Sequence, residues 1–236
     1  MIKKILNKLK LLFTDKEKNK IKKISYSQSG EDIIIDFVFY NILRIDKPSY
    51  IDIGAHHPYY LSNTALFYKN GCKGINIEPN PDLIKLFYRY RKKDINLNIG
   101  ISDKNQVLDF YIIDPPTMSG FSKEESLKVT ENHNFKIKEI KKIETFNIKE
   151  ILDKYNNSKF PDFLNLDAEG LEEIILSSID FKTNYPKIIC LETIEYSENG
   201  RGKKNDKIIN FLENNGYIVY ADTNINTIFV NKNVWK

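Results

Sequence analysis

The chain has 236 residues, is 41% hydrophobic and 12% aromatic, and carries a formal net charge of +4. These values exclude a disordered chain and suit one α/β domain with a sizeable core. No stretch approaches the ~18 apolar residues of a membrane span. The N-terminus lacks the long apolar run and small-residue cleavage site of a secretory leader.

The charge is unevenly placed. Residues 1–23 hold nine lysines against Asp15 and Glu17, a net +7, which leaves −3 for residues 24–236. The body is therefore mildly acidic, and nucleic acid is not an expected partner. Ile2, Ile5, Leu6, Leu9, Leu12 and Phe13 recur at helical spacing among the lysines. Residues 1–23 thus read as a basic amphipathic helix and linker ahead of a single domain, 24–236. Such a helix packs on its own domain or a second copy, or lies on an anionic membrane surface. Lysine is abundant throughout and arginine occurs only four times, so lysine runs weigh little as functional signals. Cys72 and Cys190 each sit beside a predicted strand among apolar residues. Both read as small core residues in a reducing, cytoplasmic setting, membrane-peripheral if residues 1–23 meet lipid.

The pattern predicts a helix from Glu31 to Leu43, a strand over 49–54, a helix over 62–70 and a strand over 73–78. A helix over 81–93, opened by Pro81 and Asp82, and a third strand over 95–101 follow. Strand periodicity at 107–113 and 137–146 brackets a polar segment, 114–134. Its length suggests an active-site flap or insertion. A short helix over 149–155, a fourth core strand over 163–167 and a helix from Leu171 come next. A fifth strand over 187–192, a helix over 205–214 stopped by Asn215-Gly216, and strands over 217–222 and 226–231 complete the chain. This alternation predicts a mainly parallel sheet closed by a hairpin.

The first strand, Tyr50-Ile51-Asp52-Ile53-Gly54-Ala55, ends in a Gly turn. The second ends in Glu78-Pro79, an acid at a carboxyl tip 26 residues after Asp52. In a doubly wound sheet these tips form the cofactor crevice, and an acid on the second strand suits a ribose diol. Gly54 is followed by Ala55-His56-His57-Pro58-Tyr59-Tyr60, without the G-x-G-x-x-G that lets a pyrophosphate approach the backbone. A sulfonium cofactor carries no phosphate, and S-adenosylmethionine suits an acidic first strand and a bulky loop.

Further acids follow the later strands. Asp167, Glu169 and Glu172 fall within six residues after the fourth core strand, and Glu192 ends the fifth. Asp167 is placed to orient the methionine ammonium or a substrate hydroxyl, and Glu169 to act as base or metal ligand. The competing reading is a helix N-cap, which needs one acid rather than three. Glu192 is a candidate for substrate or metal, or a plain rim carboxylate. His57 is a candidate general base, preferred over His56 because it precedes Pro58. His57, Asp167, Glu169 and Glu192 are also the candidates for a divalent metal such as Mg or Mn. Gln28 and Ser29, just before the first helix, read as an N-terminal lid over the cofactor carboxylate, or as a polar turn and cap.

Tyr26-Ser27-Gln28-x-Gly30-Glu31-Asp32, Asp52-Ile53-Gly54-Ala55-His56-His57-Pro58, Ser62-Asn63-Thr64, Gly74 to Pro81 and Asp167-x-Glu169-Gly170-x-Glu172 occur in that order. Together they resemble the FkbM family of S-adenosylmethionine-dependent methyltransferases. The resemblance runs from residue 26 to about 195. It implies the class I methyltransferase fold, a Rossmann-like three-layer sandwich with strand order 3-2-1-4-5-7-6, and O-methylation as the usual activity. Sugars and hydroxyls of secondary metabolites are the acceptors it implies, frequently in polysaccharide biosynthesis. It further implies that Glu78 holds the adenosine ribose, that Asp52 and Gly54 line the methionine end, and that Ile101-Ser102-Asp103 borders the adenine.

The expected protein is a cytoplasmic O-methyltransferase acting on a sugar or glycoconjugate hydroxyl. Its expected catalytic residues are His57, Asp167 and Glu169. Gln28, Asp52, Gly54, Ala55, Glu78, Pro79, Ser102 and Asp167 are expected at the cofactor. A nicotinamide oxidoreductase would also place an acid like Glu78 on a ribose, but lacks its glycine pattern here. A non-catalytic glycan-binding module would explain the aromatic content, but not carboxylates gathered at strand tips.

Overall fold

A computed structural model describes residues 22–132, 135–168, 170–194 and 202–235. Residues 1–21 and Glu169 lie outside the described residues, and with them most of the basic N-terminal segment and one candidate base. Among the described residues, no helix is long and apolar enough to cross a membrane.

Helix α1 (Glu31–Phe37) continues as a π-helical turn, Val38–Leu43. Strand β1 (Tyr50–Ile53), helix α2 (Ala65–Lys69), strand β2 (Gly74–Ile77), helix α3 (Ile84–Tyr90) and strand β3 (Ile95–Leu97) follow. Strands β4 (Gly100–Ser102), β5 (Gln106–Asp114) and β6 (Lys136–Asn147) come next, with helix α4 (Lys123–Asn132) between the last two. Helix α5 (Ile148–Tyr155), strand β7 (Phe163–Leu166), helix α6 (Glu172–Ser177) and strand β8 (Ile188–Glu192) lead to helix α7 (Asp206–Asn214). Strands β9 (Tyr217–Asp222) and β10 (Asn226–Asn231) end the fold.

The main sheet has seven strands in the order β3-β2-β1-β7-β8-β10-β9. Its pairs are parallel except β10, which runs antiparallel to both β8 and β9. Counted within the sheet, this is the expected 3-2-1-4-5-7-6. The run 95–101, expected as one strand, divides. Residues 95–97 join the main sheet, and 100–102 turn away to pair with β6 in a second sheet ordered β4-β6-β5. One period-2 register cannot serve both partners, so the chain breaks at Asn98-Ile99.

Alternation along the strands decides what each face buries. Ile51 and Ile53 of β1, Leu164 and Leu166 of β7, and Ile189 and Leu191 of β8 pack with α5, α6 and α7. Tyr50, Phe163, Ile188 and Cys190 point the other way, onto α1 and Phe67 of α2. Both cysteines are free and buried. On this second face the register aligns Asn76, Asp52, Asn165 and Cys190 across four neighbouring strands. A polar row near the carboxyl ends of the strands therefore replaces the apolar core where the cleft begins.

Candidate functional site at the strand tips

Between the carboxyl ends of β1, β2, β7 and β8 and the β5–β6 hairpin lies a cleft of about 950 Å³. Strand β1 enters it through Gly54, whose φ of +77° is the left-handed region that favours glycine. The Gly54 and Ala55 amides both donate to the Ile77 carbonyl, at 2.9 and 3.1 Å, and the Asp167 amide donates to the Ile53 carbonyl at 2.9 Å. Three strand ends are thereby bound into one rim.

Asp52 lies under that rim, 1% exposed. Its carboxylate accepts from the Thr64 hydroxyl at 2.6 Å and the Asn165 amide at 2.8 Å. Burial raises its pKa against these two bonds. Glu78, 4% exposed, accepts from the His56 amide through one oxygen and from the Asn80 amide through the other, both at 2.7 Å. Burial pushes its pKa up to about 7. Each Glu78 oxygen keeps a lone pair beyond its amide bond.

Behind Asp52 runs a buried network that sequence reading does not reveal. Arg91, fully buried, donates to Asp94 at 2.9 Å, to the Tyr50 hydroxyl at 2.8 Å, to Thr64 Oγ1 at 3.1 Å and to the Pro58 carbonyl at 3.1 Å. Thr64 relays this positive charge to Asp52, and the bond to Pro58 anchors the loop after β1. Amid compositional lysine, an arginine at the end of a helix carried no distinguishing signal.

Asp167 and Glu192 stand at the tips of adjacent strands and line the cleft. Neither carboxylate has a hydrogen-bond or ion-pair partner among the described residues. The Asp167 side chain is open to the cleft. Crowding by protein and the nearby carboxylates of Glu192, Glu172, Asp52 and Glu78 drive its pKa well above the usual range. Burial, with Glu172 and Glu125, pushes Glu192 up to about 7. Glu172 is engaged otherwise: its carboxylate accepts from the Ala168 and Gly170 amides at 2.7 and 3.0 Å. These bonds fix the turn between β7 and α6 and are not a helix cap, since no side chain caps α6.

The hairpin supplies the roof. Residues 115–122 and α4 contribute Met118, Phe121, Glu125 and Lys128 to the lining. The turn is tied down by the mutual backbone bonds of Tyr111 and Gly120 and by Phe110 against Phe121, centroids 4.9 Å apart. The segment expected as a flap thus has a short helix of its own and lies over the cleft.

Of the expected cofactor residues, Gln28, Asp52, Gly54, Ala55, Glu78, Pro79 and Asp167 line the cleft. Two of the expected residues lie off the cleft. Ser102 is buried away from it, donating to Asp103 at 3.0 Å, and Gly100 and Ile101 face the cleft in its place. His56 lines the cleft instead of His57. The His57 Nδ1 accepts the Tyr59 and Tyr60 amides at 3.1 and 2.9 Å, so this ring fastens its own loop. Among the described residues no group of three or more His, Cys, Asp or Glu side chains is arranged to hold a metal ion. Asn63 and Asn165 also line the cleft and were not expected as site residues. Asn165 precedes Asp167 by two positions, which strand periodicity turns to the same face.

The donor set can be tested against the expected cofactor. Acids end β1, β2 and β7, and Lys128 is the sole lysine or arginine among the described lining residues. Carboxylates with spare lone pairs suit a ribose diol, an ammonium and a sulfonium, and they oppose a pyrophosphate. The residues present therefore fit S-adenosylmethionine.

Comparison with known proteins agrees with this chemistry. A search of curated proteins returns no match. Among solved structures, the chain is similar to a precorrin-6y C5,15-methyltransferase from Geobacter metallireducens GS-15. That match has 15% identity and a TM-score of 0.42, covering 84% of this chain and 87% of the other. It is also similar to a putative caffeoyl-CoA O-methyltransferase from Staphylococcus aureus, with 11% identity and a TM-score of 0.42, covering 97% and 98%. The methyltransferase FkbM domain model matches residues 52–219, which runs from within β1 to within β9 and takes in the described acids of the cleft, and the chain belongs to that family.

Proposed function

We propose that this S-adenosylmethionine-dependent methyltransferase transfers methyl to oxygen, on a hydroxyl of a sugar or surface-glycan precursor. The observation that carries the reading is the pair of unpartnered carboxylates, Asp167 and Glu192, open to the cleft beside the β1 turn. A hydroxyl nucleophile needs its proton removed as it reacts, and a carboxylate with a raised pKa is a better proton acceptor near neutrality. When bound, the cofactor supplies a methyl group on a positive sulfonium. The chain's own part is to hold the ribose at Glu78, to place the acceptor oxygen by Asp167 and Glu192, and to receive its proton there. The hairpin roof lines the cleft with Met118 and Phe121, apolar surface that would limit water beside the reacting atoms. Positioning of this kind contributes ~7–11 kcal/mol in favourable systems.

Incubation with methyl-labelled S-adenosylmethionine and a panel of hydroxyl acceptors tests the reading. A mass increase of one methyl on an oxygen of a sugar supports it. Label found on nitrogen or carbon, with sugars inert, rejects it.

A further inference from the structure

Strands β7 and β8 pair Asn165 with Cys190. The Asn63 amide nitrogen spans both strands, 2.8 Å from Asn165 Oδ1 and 3.7 Å from Cys190 Sγ. The other end of this side chain is unsatisfied. Asn63 is 8% exposed and lines the cleft, yet its Oδ1 has no hydrogen-bond partner. Two residues further along each strand, on the same face, come Asp167 and Glu192, also without partners among the described residues. An unsatisfied amide oxygen and two unpartnered carboxylates thus border the same pair of strands. The orphaned Asn63 oxygen costs roughly 1–3 kcal/mol, which a donating ligand at this end of the cleft would offset.

The surrounding charge narrows that ligand. Glu172 lies just beyond Asp167, and Glu125 of the roof reaches down against Gly170, where an added Cβ would meet its carboxylate at 2.5 Å. Among the described residues, six acids line the cleft: Asp52, Glu78, Glu125, Asp167, Glu172 and Glu192. Asp52, Glu78 and Glu172 spend their oxygens on hydroxyl or amide donors of the protein. Asp167, Glu192 and Glu125 do not. A neutral hydroxyl satisfies one acceptor and leaves the charge uncompensated. An ammonium brings three donors and a positive charge to the same point. An acceptor bearing phosphate or carboxylate here would add like charge and be rejected.

We propose that the β7–β8 end of the cleft binds a protonated amine carried by the acceptor, next to the hydroxyl that is methylated. The placement of that hydroxyl rests on the methyl-transfer reading above. The amine site itself rests on Asn63, Glu192 and Glu125, which leaves Asp167 to receive the hydroxyl proton.

Calorimetric titration at pH 7 tests it, with glucosamine, N-acetylglucosamine and glucuronate as probes, each with and without saturating S-adenosylhomocysteine. Saturation places the cofactor's own ammonium beforehand, so that any amine preference belongs to the acceptor end. Glucosamine should bind about tenfold tighter than N-acetylglucosamine, the worth of one charge-assisted bond, and glucuronate should bind weakest. Glu192→Gln should erase the preference. Glu125→Gln, on an exposed helix position and safe for folding, should reduce it. Equal affinity for amine and acetamide, or absence of glucosamine binding, overturns the amine site. Saturable Mg²⁺ binding that depends on Glu192, without amine preference, overturns it also. S-adenosylhomocysteine binding without amine preference leaves methyl transfer standing. Amine preference without S-adenosylhomocysteine binding keeps the site and removes methyl transfer.

Discussion

Gly54 and Asp167 touch backbone to backbone: a Cβ added to Gly54 would lie 1.6 Å from the Asp167 carbonyl oxygen. This contact joins the cofactor turn after β1 to the acid that ends β7, so cofactor and proton acceptor share one rigid rim. Gly54→Ala would meet both the clash and a left-handed φ. Neither can relax cheaply, because the obstacle is main chain. Loss of about 3 kcal/mol or more of stability is expected, at the upper end of ordinary single substitutions. Urea unfolding measures it, and a loss under ~1 kcal/mol would show that the rim yields.

Glu78 is expected to hold the ribose while bracing the loop through the His56 and Asn80 amides. Glu78→Ala should weaken S-adenosylhomocysteine binding by on the order of 2–3 kcal/mol, because charge-assisted bonds are lost. Its two loop bonds would be lost as well, so the melting temperature should fall in parallel. Unchanged affinity on titration would remove Glu78 from the ribose.

Asp167→Asn should lower turnover by about 10²–10⁴-fold, the usual span for a general base. The melting temperature should hold or rise, since one member of a crowded carboxylate group becomes neutral. Near-normal turnover would reduce Asp167 to a structural acid. The same assay after chelation, followed by Mg²⁺ or Mn²⁺, separates the two ways of handling the proton. Activity restored by added metal would point to ligation rather than to a free carboxylate base.

The strand tips were legible in the sequence because an acid after an apolar run is conspicuous. Asp52, Glu78, Asp167 and Glu192 could all be read this way, and each lines the cleft. The sheet order followed from family resemblance, and strand registers then decided which polar residues share a face. Side-chain direction in loops was not legible. His56 and His57 differ by one position, and only the folded turn, with His56 at φ +52°, decides which ring meets the cleft. The position of Ser102 has a similar cause: β4 leaves the main sheet for β6, and the serine is buried off the cleft. Asn63 entered only as part of the Ser62-Asn63-Thr64 motif, with no role of its own, because an unsatisfied oxygen is a property of its surroundings and not of its residue type.

The buried ion pair of Arg91 and Asp94, 2.9 Å apart with both side chains fully buried, gives a further prediction. Arg91→Met should cost about 3–5 kcal/mol, because Asp94 is left as an uncompensated buried charge. The Pro58 and Thr64 contacts go with it, so the cofactor loop should loosen. Adding Asp94→Asn to Arg91→Met should recover part of the stability but not the cofactor affinity. Additive losses in the double variant would show that the two side chains are not coupled.

The last prediction concerns pH. Glu192 titrates at about 7 in the folded protein against an ordinary 4.5, because of burial and the carboxylates of Glu172 and Glu125. Between these values the folded state holds a proton that the unfolded state has released. Stability from this group is therefore fully present at low pH and declines as pH rises from about 4.5 through 7. The amide of Glu192→Gln resembles the protonated acid at every pH. The melting temperature of the variant minus that of the wild type should thus increase from pH 5 to pH 7.5 and level off above it. Glu78, also raised to about 7, is present in both proteins and cancels in the difference, whereas Asp167, which the Glu192 carboxylate pushes up, is relieved in the variant and adds to the difference in the same direction. Bound ammonium should flatten the curve, since it favours the ionised carboxylate and lowers its pKa. A difference that stays constant across the range would show that Glu192 titrates normally and that the carboxylates at the strand tips do not crowd one another.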